Sequence, residues 1–209
     1  GEAGDALDGT LMIRDQAGRY GFAGLDGTLV VPTCYTAAYD FTEDLAAVEW
    51  DGRWGFVDRR GQVAIPLSYD GAEPFSDGLA RVWRTVDGRR LYGYIDTNGA
   101  LAVSLAYDWL GAFSDGLAGM GQLDGEGVCR YGFVDRRGRV AVEPVYDGTG
   151  NFSGGLAPAA LTDEKGVTHW GYIDRTGREA VPFVYDRAGD FSQGLAPVGA
   201  LDKEKVLHY

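Results

Sequence analysis

The feature that most constrains the fold is an internal repeat. The segment WGFVDRRGQVAIPLSYD, residues 54–70, recurs in degraded form along the chain. Aligned on an aromatic residue followed by glycine, five blocks of 29 residues match without gaps, beginning at Tyr20, Trp54, Tyr92, Tyr131 and Trp170. Such a fixed period is the signature of a tandem array, in which each unit buries apolar surface against its neighbours.

Each block opens with the pattern of a β-hairpin. Two aromatic residues stand two positions apart, as in Trp54 and Phe56, so both rings lie on one face of a strand. The glycine between them indicates that something bulky approaches the opposite face. Four blocks continue with Asp-x-x-Gly, which is typical of a turn because aspartate accepts from turn amides and glycine tolerates positive φ.

The rest of the block predicts two further strands. The return strand is apolar, and a proline in three blocks predicts that it ends there or lies at a sheet edge; these are Pro32, Pro66 and Pro182. A tyrosine and a bend follow, and we expect the single phenylalanine of each bend to fill the core beneath it. These are Phe41, Phe75, Phe113, Phe152 and Phe191. Leucine then starts a third strand, and no segment has helical periodicity.

The chain is therefore predicted to be all-β. Tandem three-stranded antiparallel units would form an open, solenoid-like or superhelical array, with a β-propeller-like ring as the alternative. We expect residues 1–10 to be a disordered leader or tag remnant and residues 11–209 to form a single repeat domain. LMIR at residues 11–14 matches a third strand and Tyr209 matches the opening of a further unit, so partial units are predicted at both ends.

Composition argues against several classes of partner. The formal net charge of −12 opposes binding to nucleic-acid phosphates, and no apolar run is long enough for membrane insertion. The two cysteines, Cys34 and Cys129, permit at most one disulfide, and a small buried thiol is the expectation for Cys34. The cysteine count does not indicate a cellular compartment.

No motif in the sequence indicates catalysis. The repeated aspartates could in principle line up for calcium, but the ligand-dense spacing of calcium loops is missing and turn amides explain them. There is no His-Glu-x-x-His, no P-loop and no Gly-x-Ser-x-Gly. We predict no metal, no cofactor and no catalytic residue, and a chain that is not an enzyme.

The candidate binding residues are those that break the repeat. Tryptophan and arginine dominate binding hot spots. Here they occupy positions that hold other residue types in most other blocks. The candidates are Trp50, Trp83, Trp109, Arg81, Arg84 and Arg90. A purely structural alternative is that Trp50 and Trp83 cover neighbouring hairpins.

The blocks resemble the WG repeat of bacterial proteins. WGYIDRTGREAVPFVYDRAGDFSQGLAPV, residues 170–198, fits that pattern nearly throughout, whereas block one departs from it at Gly24, Thr36 and Asp44. The resemblance covers residues 20–198 and implies an all-β repeat that acts as an interaction module. It implies no catalytic residues.

These observations lead to three hypotheses of function. The first is a non-enzymatic repeat scaffold that binds a protein or peptide partner, with the hairpin from Trp83 to Arg90 as the main contact. The alternative is a module that binds a carbohydrate or another ligand of the cell envelope. The third is an enzyme domain whose active site assembles only in three dimensions.

Overall fold

The chain is made of antiparallel strands joined by turns and hairpins. The computed structural model describes residues 9–190, 195–201 and 207–208. They form small sheets, none of which closes into a barrel, and contain no helix long and apolar enough to cross a membrane. The prediction of an all-β chain of tandem antiparallel repeats is confirmed.

The chain divides into two compact units after Leu105. The first contains β1 (Thr10–Arg14), β2 (Tyr20–Gly24), β3 (Leu29–Tyr35), β4 (Ala37–Ala38), β5 (Leu45–Trp50), β6 (Arg53–Asp58), β7 (Val63–Tyr69), β8 (Gly71–Ala72), β9 (Leu79–Val86) and β10 (Arg89–Asp96). The division falls within β11 (Leu101–Tyr107). The second contains β12 (Trp109–Ser114), β13 (Leu117–Leu123), β14 (Cys129–Asp135), β15 (Val140–Tyr146), β16 (Gly148–Thr149), β17 (Leu156–Thr162), β18 (Thr168–Asp174), β19 (Glu179–Tyr185), β20 (Arg187–Ala188), β21 (Val198–Leu201) and β22 (Leu207–His208).

The four-stranded sheets follow chain order, for example β4-β5-β6-β7 and β12-β13-β14-β15. Each therefore joins the end of one sequence block to the start of the next. The predicted third strand at residues 11–14 is found as β1, which pairs with β2. A fourth, two-residue strand such as β4 was missed because two residues leave no periodic pattern. The predictions for residues 1–8, Phe191 and Tyr209 lie outside the described residues.

Of the two alternatives predicted from the prolines, the edge strand is the one found. β3, β7 and β19 are the last strands of their sheets, so these prolines lie on edge strands. The strands continue beyond the prolines to Tyr35, Tyr69 and Tyr185, so they do not end there. An edge strand tolerates the missing N–H because one side of it has no partner strand.

The glycine of the opening pair is required by the backbone of the return strand. Trp54 pairs with Tyr69 but Phe56 pairs with Ile65, so the return strand has extra residues there and bulges. A Cβ on Gly55 would lie 2.5 Å from the carbonyl oxygen of Ile65. The same strand backbone closes on the equivalent glycine in all five blocks. The expected approach is thus confirmed, but the approaching group is main chain.

Two of the bend phenylalanines, Phe75 and Phe152, are buried in the core as predicted, whereas Phe41 and Phe113 are half-buried. Phe152 is completely buried, and its ring centroid lies 4.6 Å from that of Phe133 on the opening strand of the same block. Phe75 packs on Phe56 in the same way at 4.8 Å. Phe41 and Phe22 form the equivalent pair at 4.7 Å, so three repeats share an edge-to-face or tilted ring pair between the bend and the opening strand.

The turn aspartates bond to their own turns. The Oδ1 atom of Asp58 accepts from the backbone N–H groups of Arg60 and Gln62, both at 2.9 Å, and Gly61 has a φ of 78°. The same double acceptance recurs in the other three blocks that carry this aspartate, at Asp96, Asp135 and Asp174. Within the described residues, no group of three or more His, Cys, Asp or Glu is placed to hold a metal ion.

The aspartates after the block tyrosines have a different role. The Oδ2 atom of Asp70 accepts from the backbone N–H of Thr85 at 2.5 Å, and Asp147 bonds to Thr162 at 2.7 Å in the equivalent place. Asp108 bonds to Leu123 at 2.9 Å. Each aspartate fastens the strand that leads into the next hairpin.

The hydrogen-bonded aspartates are expected to make the stability of the fold sensitive to acid. The N–H of Thr85 lowers the pKa of Asp70, the N–H of Val167 lowers that of Asp163, and the Thr176 hydroxyl lowers that of Asp174. A depressed native pKa stabilises the fold above the unfolded pKa, and this contribution is lost as pH falls through the native pKa. We expect the melting temperature to fall progressively from about pH 5 to about pH 2.

The measurement is thermal denaturation across this pH range. Asp163→Asn, which keeps the acceptor oxygen, should show a shallower decline than the native chain. Glu126→Gln is the control, because the side chain of this exposed residue makes no hydrogen bond to the described residues. A melting temperature that stays constant from pH 5 to 2 would contradict the account.

Candidate functional site

The structure separates the six candidate residues by exposure. Trp50 and Trp109 are 56% and 41% exposed, whereas Trp83 is half-buried. Arg90 is exposed, and Arg81 and Arg84 are partly buried. All lie in the first unit except Trp109, so the structure does not present them as one site.

Trp83 and Trp109 fill the same place in their repeats from opposite strands. Trp83 on β9 faces Gly71 on β8, and Trp109 on β12 faces Gly121 on β13. In both repeats the indole packs on the opening tyrosine, with ring centroids 5.8 Å apart. A large residue on one strand is therefore matched by a glycine on the other, which is a packing solution. This supports a structural role for Trp83.

The three candidate arginines contact the chain itself. Arg81 forms an ion pair with Glu73, and the guanidinium of Arg90 lies 5.9 Å from the ring centroid of Trp83. Arg84 donates to the backbone oxygen and hydroxyl of Ser68 at 3.1 and 2.8 Å. Of the three, only Arg90 combines an aromatic contact with an exposed side chain.

Trp50 differs because it stands beside an open groove. The groove lies in the first unit and has a volume of about 520 Å³. Its lining, which defines the Trp50 groove, consists of Arg19, Cys34, Tyr35, Trp50, Val63 and Leu67. The floor is mainly apolar, and Arg19 brings the one cationic side chain of this lining.

The next repeat shows how the chain can fill such a place. Arg84 occupies the position of Trp50, since each stands one residue beyond the partner of the opening aromatic. Its guanidinium lies 4.8 Å from the ring centroid of Tyr69, the counterpart of Tyr35. Arg84 thus covers its block tyrosine, whereas Trp50 points its indole largely into solvent.

A substitution in block one changes the partner of Arg19. Two arginines at the equivalent position, Arg53 and Arg130, form ion pairs with Asp70 and Asp147. Block one has Thr36 in place of this aspartate. Arg19 instead donates from Nη1 to the carbonyl oxygen of Cys34 at 3.1 Å, and it has no ion-pair partner within the described residues.

The groove contains residues that the sequence did not single out. Cys34 is free of a disulfide and packs against the core cluster of its unit, but it is half-buried, so the expected buried thiol is only partly covered. Cys129 is also free and half-buried. Tyr35 is buried, and burial raises the pKa of its hydroxyl, which is therefore neutral near pH 7. The signal that could have pointed to the groove is Thr36. It replaces the aspartate that would otherwise form an ion pair with Arg19, the residue before the block.

Comparison with known proteins gives a family but no individual relative. The family model for the WG containing repeat matches residues 20–54, 54–82, 92–122, 131–163 and 170–199. A comparison with curated proteins found no match. The five matches coincide with the five blocks whose opening glycine is closely approached by the return strand, and four of these blocks carry the turn aspartate. The chain belongs to the WG containing repeat family.

Proposed function

We propose that the chain is a non-enzymatic scaffold that binds a protein or peptide partner through the Trp50 groove. The observation that carries the proposal is the 56% exposed indole of Trp50 beside an open apolar groove. Tryptophan is the residue type most enriched at the energetic centres of protein interfaces. An exposed indole next to a depression gives a partner side chain both a wall and a floor.

The Trp83 to Arg90 hairpin contributes to the same proposal in a secondary role. Arg90 lies exposed over the indole of Trp83, and Asp70 joins Arg53 to the N–H of Thr85. The hairpin is thereby held in place before a partner arrives, which lowers the entropic cost of binding. The main contact moves from this hairpin to Trp50, because Trp83 and Arg84 are engaged within the chain.

The proposal predicts that a selected peptide loses affinity when Trp50 is removed. Peptides would be selected from a displayed random library on the immobilised chain, and their affinities measured by calorimetry. Trp50→Ala should weaken binding about 30-fold, which corresponds to a hot spot of about 2 kcal/mol. Because Trp50 is a surface residue, the melting temperature of the variant should stay near that of the native chain.

The matched control is Val140→Ala, which shortens another exposed apolar residue, 45% accessible and outside the groove. It should leave affinity within about twofold, since no contact with the peptide is removed. Peptides that bind Trp50→Ala as tightly as the native chain would contradict the proposal. So would a library that yields no binding peptide.

A second candidate is carbohydrate binding at Trp109. Its indole lies against Gly111 and Gly119, and Trp109 is 41% exposed. A flat, supported ring can stack on the apolar face of a sugar. Glycans that bind the native chain but not Trp109→Ala, together with no effect of Trp50→Ala, would favour this candidate. The absence of enzymatic activity stays a prediction.

A further inference from the structure

The lining of the Trp50 groove bears on the chemistry of its partner, and this step rests on the proposed function. Arg19 is exposed and lies at an apolar groove in a chain of net charge −12. Its counterparts Arg53 and Arg130 are neutralised by aspartates of their own blocks. In block one that carboxylate is missing, because Thr36 replaces it.

The missing carboxylate leaves hydrogen-bonding capacity on Arg19. A guanidinium carries five N–H donors in a planar fork that matches a carboxylate. One of these groups, at Nη1, is engaged with the carbonyl oxygen of Cys34 at 3.1 Å. Asp15 accepts from the backbone N–H of Arg19 and lies near enough for the guanidinium to help lower its pKa, but it forms no ion pair with Arg19. The remaining donors can take a carboxylate from outside.

The hydroxyl that replaces the aspartate is itself occupied. Thr36 Oγ1 donates to the carbonyl oxygen of Glu49 at 3.1 Å. Arg19 makes no hydrogen bond to this hydroxyl, and a neutral hydroxyl does not supply the negative charge of the missing aspartate. A carboxylate from a partner would restore the ion pair that Arg53 and Arg130 form within their own blocks.

The apolar lining decides which kind of carboxylate fits. The ligand must bring a carboxylate to Arg19 and apolar surface to Val63 and Leu67 within one short groove. A chain terminus meets both needs, because it places a carboxylate and a side chain on one residue. We propose that the Trp50 groove binds the free C-terminus of a partner peptide whose last side chain is large and apolar.

In this arrangement Trp50 and Arg19 contact different parts of the terminal residue. The apolar side chain packs against Trp50 and the floor, while the terminal carboxylate takes the unused N–H groups of Arg19. Burying an aromatic side chain removes roughly 150 to 250 Å² from water, so the apolar contact supplies most of the affinity. Arg19 supplies discrimination between a free and a blocked terminus.

Three small probes test this division of roles. N-acetyl-phenylalanine carries the free carboxylate, and N-acetyl-phenylalanine amide is its neutral counterpart. N-acetyl-phenylalanyl-glutamate amide presents a carboxylate on an internal side chain. Binding is followed by NMR through the indole N–H signal of Trp50, which is identified by its loss in Trp50→Phe. The five tryptophans of the chain make this assignment step necessary.

We expect N-acetyl-phenylalanine to bind about tenfold more tightly than either amide, the effect of one charge-assisted hydrogen bond. Arg19→Gln should remove this preference and leave the affinity of the neutral amide unchanged. Arg60→Gln, which removes the same charge from an exposed turn of the first unit, should retain the preference.

Several results would overturn the inference. The neutral amide could bind as tightly as the acid, the glutamate probe could bind best, no probe could bind, or Arg19→Gln could keep the preference. Library peptides that need Trp50 but tolerate a blocked terminus would leave the proposed function standing while this inference fails. Peptides indifferent to Trp50→Ala would remove the proposed function itself.

Discussion

Gly55→Ala is expected to lower the melting temperature of the chain by roughly 6 to 12 °C, from a loss of about 3 kcal/mol in folding free energy. The new Cβ would lie 2.5 Å from the Ile65 carbonyl oxygen and 2.7 Å from the Leu67 nitrogen. Both are main-chain atoms of the bulged return strand, so no side chain can rotate away. The strand must shift, and the pairing of Trp54 with Tyr69 weakens with it.

Gly125→Ala is the matched control for this experiment. Gly125 has nothing within 4 Å of an added Cβ, and its φ is not positive. The same chemical change should therefore be neutral, or stabilising by up to about 1 kcal/mol, because alanine restricts the unfolded chain. Thermal denaturation followed by circular dichroism compares the two variants. Equal melting temperatures would show that the return strand does not require glycine.

Phe152→Ala should destabilise the second unit by about 3 to 5 kcal/mol. The ring is completely buried, lies 4.6 Å from Phe133 and packs in a cluster with Val142 and Ile173. Its removal leaves a cavity that a sheet of fixed register cannot collapse to fill. Denaturant titration measures the loss, and hydrogen exchange should show earlier opening of the β14 amides.

The control for Phe152→Ala is Val145→Ala. Val145 is 56% exposed on β15 of the same unit, so shortening it removes little buried surface. We expect a change of a few tenths of a kcal/mol, in line with strand preference alone. A loss below about 1 kcal/mol for Phe152→Ala would contradict its placement in the core.

The local parts of the fold were predictable because their causes lie within a few residues. Asp58 and Gly61 fall in one turn, and the hydrogen bonds that require them span at most four residues. The position of Phe152 also follows from its block, because its ring partner Phe133 lies on the opening strand of the same block. Repetition strengthened both predictions, since each was made at several equivalent positions.

The features that the sequence did not reveal depend on strand register. The large side chain of Trp83 on β9 is accommodated by Gly71 on β8, but the two residues stand twelve positions apart in the sequence. Without the pairing, Trp83 is only a residue that breaks the pattern, and a binding role was the natural interpretation. The bulge behind Gly55 was hidden for the same reason, because extra residues in a return strand leave the apolar sequence looking continuous.

The candidate site was predicted in part. Trp50 was singled out because it is a tryptophan that departs from the repeat pattern, and the structure places it at the groove. Arg19 was not, because its importance arises from an absent ion pair with a residue seventeen positions away. Thr36 had been noted only as a departure of block one, and its consequence became visible beside Asp70 and Arg53.

The offset between sequence block and sheet determines how the gene for such a chain can be divided. A fragment that starts at Arg53 would leave β6 without its partner β5, although it respects the sequence motif. A boundary placed after Tyr35 or Tyr69 instead keeps the sheet β4-β5-β6-β7 whole. The cassette suited to shuffling or transplantation is therefore residues 36–69, and chimaeras designed on the aromatic-glycine motif would be cut through a hairpin.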